Sequence, residues 1–117
     1  MATYRRLVIN DVGDVTVVHF RDQKIIEDLR IQELGQELFQ LVETENRKKL
    51  VLNFSSVDFL SSAALGVLIK LDKKVKAKQG RLALCCIRPE IFEVFKITNL
   101  NRVFIIKSDE SDALAAI

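Results

Sequence analysis

Two hydrophobic rhythms alternate along the chain. Val15–Phe20 (VTVVHF), Leu50–Phe54 (LVLNF) and Arg81–Ile87 (RLALCCI) are short, nearly continuous apolar runs. Such runs predict strands buried on both faces, as in parallel sheets. Between them the apolar residues fall three and four apart, which predicts helices. One helix is expected over Leu29–Glu45, capped by Asp28, with Ile31, Leu34, Leu38, Leu41 and Val42 on its inner face. A second is expected over Ser62–Lys78, with Leu65, Leu68, Ile69, Leu71 and Val75 inward and Lys70, Lys73, Lys74 and Lys78 outward. Gly80 is placed to close it. Pro89 predicts a short helix over Pro89–Ile97, since proline suits a first helical turn. Tyr4–Asn10 reads as a strand that turns at Asp11–Asp14 into Val15–Phe20. Ile25–Ile26 reads as a short extended piece, Val103–Ile106 as a last strand and Ser108–Ile117 as a terminal helix. The order ββαβαβαβα predicts an α/β fold: a mixed central sheet, with an N-terminal hairpin and parallel strands joined by right-handed crossovers, flanked by about four helices.

Composition narrows the class. A length of 117 residues, 49% of them hydrophobic and 29% charged, is that of one globular domain over 1–117. A net charge of +2 leaves no concentrated basic face for direct nucleic-acid binding. No apolar run approaches the roughly 20 residues of a membrane-spanning helix, and the first residues carry no apolar leader. These features lead us to expect a cytoplasmic monomer without membrane insertion. Cys85 and Cys86 are adjacent in a predicted strand, where neighbouring side chains point to opposite faces. They read as two buried thiols in a reducing compartment, with no vicinal disulfide.

The most informative stretch is Asn53–Gly66 (NFSSVDFLSSAALG). An apolar strand runs out into serines; Phe59-Leu60 follows, then Ser61-Ser62, then the small pair Ala63-Ala64 that opens a long helix. Serine before an apolar periodic run is a helix N-cap signal. A helix start at the end of a buried strand presents free N–H groups and the positive end of a dipole, which favours anions including phosphate.

Enzyme motifs are missing. With only Gly13, Gly35, Gly66 and Gly80, the chain has no glycine-rich phosphate loop. There is no CxxC, HExxH or GxSxG, and the single His19 sits in a strand, so neither a zinc site nor a nucleophile with its base is indicated. No cofactor is expected. A phosphate-accepting receiver domain would cast Asp58 as acceptor and Lys107 as its lysine. Its acidic pair is absent, because the first strand leads into a hairpin turn rather than a helix. An enzyme using the serine pair as nucleophile lacks a placed base.

From Asn53 onward the chain resembles the STAS family, the domain of bacterial anti-sigma factor antagonists. Phe59-Leu60-Ser61-Ser62-Ala63-Ala64-Leu65-Gly66 is similar to that family's apolar pair followed by Asp-Ser-Ser-Gly-Leu-Gly at a helix start. Gly80–Pro89 resembles its next strand and proline-started helix, and Ile97–Phe104 its closing turn and last strand. The element order agrees from about Tyr4 to the C-terminus.

The resemblance implies a non-enzymatic regulator of transcription that works by partner switching. Such an antagonist binds an anti-sigma factor that is also a serine kinase, is released when phosphorylated, and is reset by a phosphatase. For such a protein, the expected geometry at that end of the sheet puts the partner-binding surface at the loop and helix start, with Asp58, Phe59, Leu60, Ser61, Ser62, Ala63 and Ala64, and the Arg21–Lys24 loop nearby. The chain departs from the family pattern here. Ser61 stands where the family has aspartate, Ser62 at the first serine, Ala63 at the serine usually phosphorylated, and Ala64 at the glycine. Ser62 and Ser61 are therefore the phospho-acceptor candidates, and both are also cap candidates. Control by another route is the other outcome. The alternative within the family is an accessory subunit of a membrane lipid or anion transport system.

Overall fold

The computed structural model describes residues 4–117. Its elements are β1 (Leu7–Val12), β2 (Val15–Phe20), β3 (Lys24–Ile25), α1 (Asp28–Glu43), β4 (Lys49–Asn53), β5 (Phe59–Leu60), α2 (Ser62–Ala77), β6 (Arg81–Cys85), α3 (Pro89–Ile97), a 3₁₀ turn at Leu100–Arg102, β7 (Ile105–Lys107) and α4 (Glu110–Ala116). Five strands form the main sheet in the order β1-β2-β4-β6-β7. Only β1 is antiparallel to its neighbour; β2, β4, β6 and β7 run parallel. The mixed sheet and the four helices are as the patterning predicts. The small parallel sheet β3–β5 is an addition, because a pairing of two-residue strands has no periodic signal of its own.

Both faces of the central strands are covered, which is why their sequences are continuously apolar. Val18, Leu50, Leu52, Leu82 and Leu84 pack with Leu34, Leu38, Leu41, Leu68, Leu71 and Phe95 from α1, α2 and α3. Each such leucine withdrawn from water contributes about 1.5–3 kcal/mol before entropy is counted. The alternate residues Val15, Val17, Val51, Ala83 and Cys85 pack with Ala113 of α4. Their small size lets a seven-residue helix sit close to the sheet.

Several boundaries differ from expectation. The first strand begins at Leu7, not Tyr4, and runs on to Val12. A two-residue turn with Gly13 at φ 62° pairs Val12 directly with Val15. Asp28 is not the cap of α1 but lies within its first turn; Glu27 holds the cap position without a side-chain bond. β6 stops at Cys85 because Cys86 adopts φ 60°. The last strand starts at Ile105, after the 3₁₀ turn has used Leu100–Arg102. Asp109 caps α4, its Oδ1 accepting from Asp112 N at 2.8 Å. At the end of α2 the left-handed position belongs to Gln79 (φ 60°), and Gly80 has a different task.

Candidate functional site

Polar bonds define the loop between β4 and α2. Asn53, buried at the end of β4, accepts from Ser55 N through Oδ1 at 2.9 Å and donates from Nδ2 to Glu110 Oε1 at 3.0 Å. One amide therefore ties the loop to α4. Val57 N donates to Phe54 O at 2.9 Å, and Ser56 Oγ donates to Phe20 O at 2.7 Å. Val57 is fully buried, so it pins the loop from below. The chain then runs beside the segment after β2. Asp58 N donates to Gln23 O at 2.7 Å and Ser61 N to Ile25 O at 3.0 Å, on either side of the Lys24–Phe59 and Ile25–Leu60 pairs. The Arg21–Lys24 loop is thereby fixed against the serine segment.

The two serines separate by role at the start of α2. Ser61 holds the N-cap position; its Oγ accepts from Ala64 N at 3.3 Å and its carbonyl accepts from Leu65 N at 3.1 Å. A serine cap of this kind is worth about 1 kcal/mol. Ser62 is the first helical residue and is exposed, as is Ala63. The first turn of α2 holds no acidic side chain, so nothing within it offsets the positive dipole end.

The remaining candidate residues divide by exposure. Phe59 is 58% exposed, with Lys24 Nζ lying 5.7 Å from its ring centroid. Leu60 is half-buried and packs against the main core. Asp58 is half-buried, its Oδ1 2.8 Å from Arg88 Nη2. Ala64 is a correction: its side chain is buried and its N–H is taken by Ser61, so it supports the surface rather than forming it. The pairing of β3 with β5, extended by Ser61 N donating to Ile25 O, also brings in the adjoining Ile26, 51% exposed, which the sequence pattern did not mark as part of the surface. Its signal was a large apolar residue between β3 and α1, outside the inner stripe of the helix. Arg88 reaches Asp58 across the fold and had no local signal.

The surface carries no sign of a placed nucleophile. Among the described residues, the bond recorded for Ser61 Oγ is to a backbone N–H, and His19 Nε2 lies 3.6 Å from Glu110 Oε1. The cation that meets Asp58 is Arg88, at the start of α3. What the arrangement offers is a recognition surface: exposed apolar side chains beside an anion-tolerant helix start with a free hydroxyl.

The chain belongs to the STAS domain family, whose model matches residues 7–113. Several of its relatives within that family are anti-sigma factor antagonists, which are non-enzymatic regulatory proteins. BtrV of Bordetella bronchiseptica, which bears the name of an anti-sigma factor antagonist, is 30% identical over 94 residues, 80% of each chain. The fold is similar to the crystal structure of an anti-sigma factor antagonist from Mycobacterium paratuberculosis, with a TM-score of 0.83, 24% identity, and coverage of 95% of this chain and 92% of that one. It is also similar to the Bacillus cell-fate determinant SpoIIAA in its phosphorylated form, with a TM-score of 0.71, 15% identity, and coverage of 94% and 97%. No helix among the described residues is long and apolar enough to cross a membrane.

Proposed function

We propose that this chain is an anti-sigma factor antagonist that docks its partner through Phe59, Ser62, Ala63 and Ile26, and that Ser62 is its switchable residue. The partner is an anti-sigma factor with serine-kinase activity; a phosphatase reverses the modification; the setting is the cytoplasm. The observation that carries this reading is the exposure of Phe59, Ser62 and Ala63 at the uncompensated start of α2, in a chain of this family. Ser62 is favoured over Ser61 because the Ser61 hydroxyl is engaged in capping while Ser62 stands free in solvent. Alanine at position 63 accepts no phosphate, so the acceptor moves back by one residue.

The physics of the switch is local. A phosphate on Ser62 adds about −1.5 to −2 charges at the positive end of α2, which the free domain tolerates. In a docked complex the same charge is desolvated and faces the partner, which weakens binding. The test is a titration of the cognate anti-sigma factor against the wild type, Ser62→Ala and Ser62→Glu. Ser62→Glu is expected to weaken binding at least tenfold, about 1.4 kcal/mol. Ser62→Ala is expected to bind normally and to resist release by kinase and ATP. Equal affinity for all three proteins, with unmodified Ser62 after kinase treatment, would remove Ser62 from the switch.

A further inference from the structure

Cys85 and Cys86 do not lie on opposite faces of a strand. Cys85 is the last residue of β6, paired with Asn53 of β4 on one side and Lys107 of β7 on the other. The strand ends there because Cys86 takes φ 60°, a left-handed conformation that side-chain-bearing residues rarely adopt. The two sulfurs are 3.7 Å apart, and both residues are free thiols. Cys85 is fully buried, whereas Cys86 is half-buried.

We propose that Cys85 and Cys86 are a redox site, a thiol pair that a peroxide closes to a vicinal disulfide, and that its closure resets the Arg88–Asp58 contact beside Phe59.

The chemistry assigns the order of events. Cys86 is the accessible sulfur, so its thiolate attacks the peroxide. One oxygen is transferred, Cys86 becomes a sulfenic acid, and the other oxygen leaves as water after taking up the thiol proton. The Cys85 sulfur then attacks the sulfenic sulfur, the S–S bond forms, and the hydroxyl departs with the Cys85 proton as a second water. The sum is two thiols and one hydrogen peroxide giving one disulfide and two waters. Burial, aided by the neighbouring Cys86, pushes the Cys85 thiol up to about 12, so it stays protonated and is not the first sulfur oxidised. Neighbouring Cα atoms are about 3.8 Å apart, shorter than the usual disulfide span of about 4.4–6.8 Å. A bond closed over that span is strained and easily reduced, which suits a reversible site.

The site is wired to the candidate surface by short covalent and hydrogen-bonded paths. Cys85 O accepts from Phe54 N at 3.0 Å, where the serine loop begins. Two residues beyond Cys86, Arg88 holds the cap position of α3 and places Nη2 2.8 Å from Asp58 Oδ1. Drawing the sulfurs together by about 1.7 Å, to a bond of about 2.05 Å, turns the Cys86 backbone and with it the base of Arg88. The consequence for docking rests on the function proposed above; the thiol chemistry and the shift at Asp58 do not.

The experiment uses the whole chain, first reduced and then treated with hydrogen peroxide. Intact mass, maleimide titration and backbone amide NMR are followed together. The expected result is a monomeric product lighter by two hydrogen atoms, with both thiols lost together and recovered on adding dithiothreitol. The amides of Asp58 and Phe59 are expected to shift in the oxidised form and return on reduction. Cys86→Ser, a change at a half-buried position, is expected to show neither the mass loss nor the shift; Cys86→Ala serves if the serine variant folds poorly. Advance of Cys86 to a sulfinic acid beside an intact Cys85 thiol, or a disulfide only between two chains, would overturn the site. A disulfide that leaves the Asp58 and Phe59 amides unmoved would overturn the coupling.

Discussion

Gly80 shows how one residue can satisfy a sequence rule for a different physical reason. Glycine after a helix usually supplies the left-handed residue of the C-terminal cap. Here Gln79 takes that conformation, donating to Lys76 O at 2.9 Å, and Gly80 N donates to Val75 O at 2.8 Å, which completes the same two-bond cap. Gly80 is required because a side-chain carbon there would press on the backbone carbonyl of Lys48. That carbonyl is held in place, since it accepts from Arg81 N at 2.7 Å. Gly80→Ala is therefore expected to lower stability by about 2–3 kcal/mol, read as a reduced urea midpoint. Gly66 meets nothing within 4 Å of the same hypothetical atom, so Gly66→Ala is the matched control that should not lose stability. The position of Gly80 was legible in the sequence; its reason was not, because Lys48 comes from a distant loop.

At the scale of elements, α4 is the piece whose role depends most on what lies beneath it. Its seven residues are too few to persist alone as a helix in water. It is held by Ala113, fully buried, and by Glu110, which accepts from Asn53. The sheet face beneath it is built of Val15, Val17, Val51, Ala83 and Cys85. Ala113→Glu would bury a carboxylate in this layer and is expected to cost about 3 kcal/mol, with α4 losing its hydrogen-exchange protection before the sheet does. Equal stability would show that α4 contributes little to covering this face. The helices and the central strands were legible from periodicity, because each buries one stripe or two faces. The β3–β5 pair was not, since two residues carry no period, yet it is this pair that sets Ile26 beside the start of α2.

For the molecule as a whole, the two layers of core on either side of one sheet leave the C-terminal end of β4 and the start of α2 as an open working surface. Phe59 and Ile26 are exposed there, and single exposed hydrophobes of this kind do not by themselves demand a second copy. The chain is expected to sediment as one species of 13.3 kDa across a wide concentration range. A dimer that persists on dilution would mean that this surface, or another, is closed by self-association. The sequence by itself determined the α/β class, the order of the main elements, the serine-capped start of α2 and the substitution of alanine at position 63. These are local matters of periodicity, capping chemistry and residue identity. Only the tertiary structure decided which serine is the cap and which is free, that Ala64 and Leu60 turn inward, that Arg88 meets Asp58, and that Cys86 turns back upon Cys85. Each of these depends on where separate segments meet or on a backbone turn within the packed fold, and neither is encoded in the spacing of residues along one element.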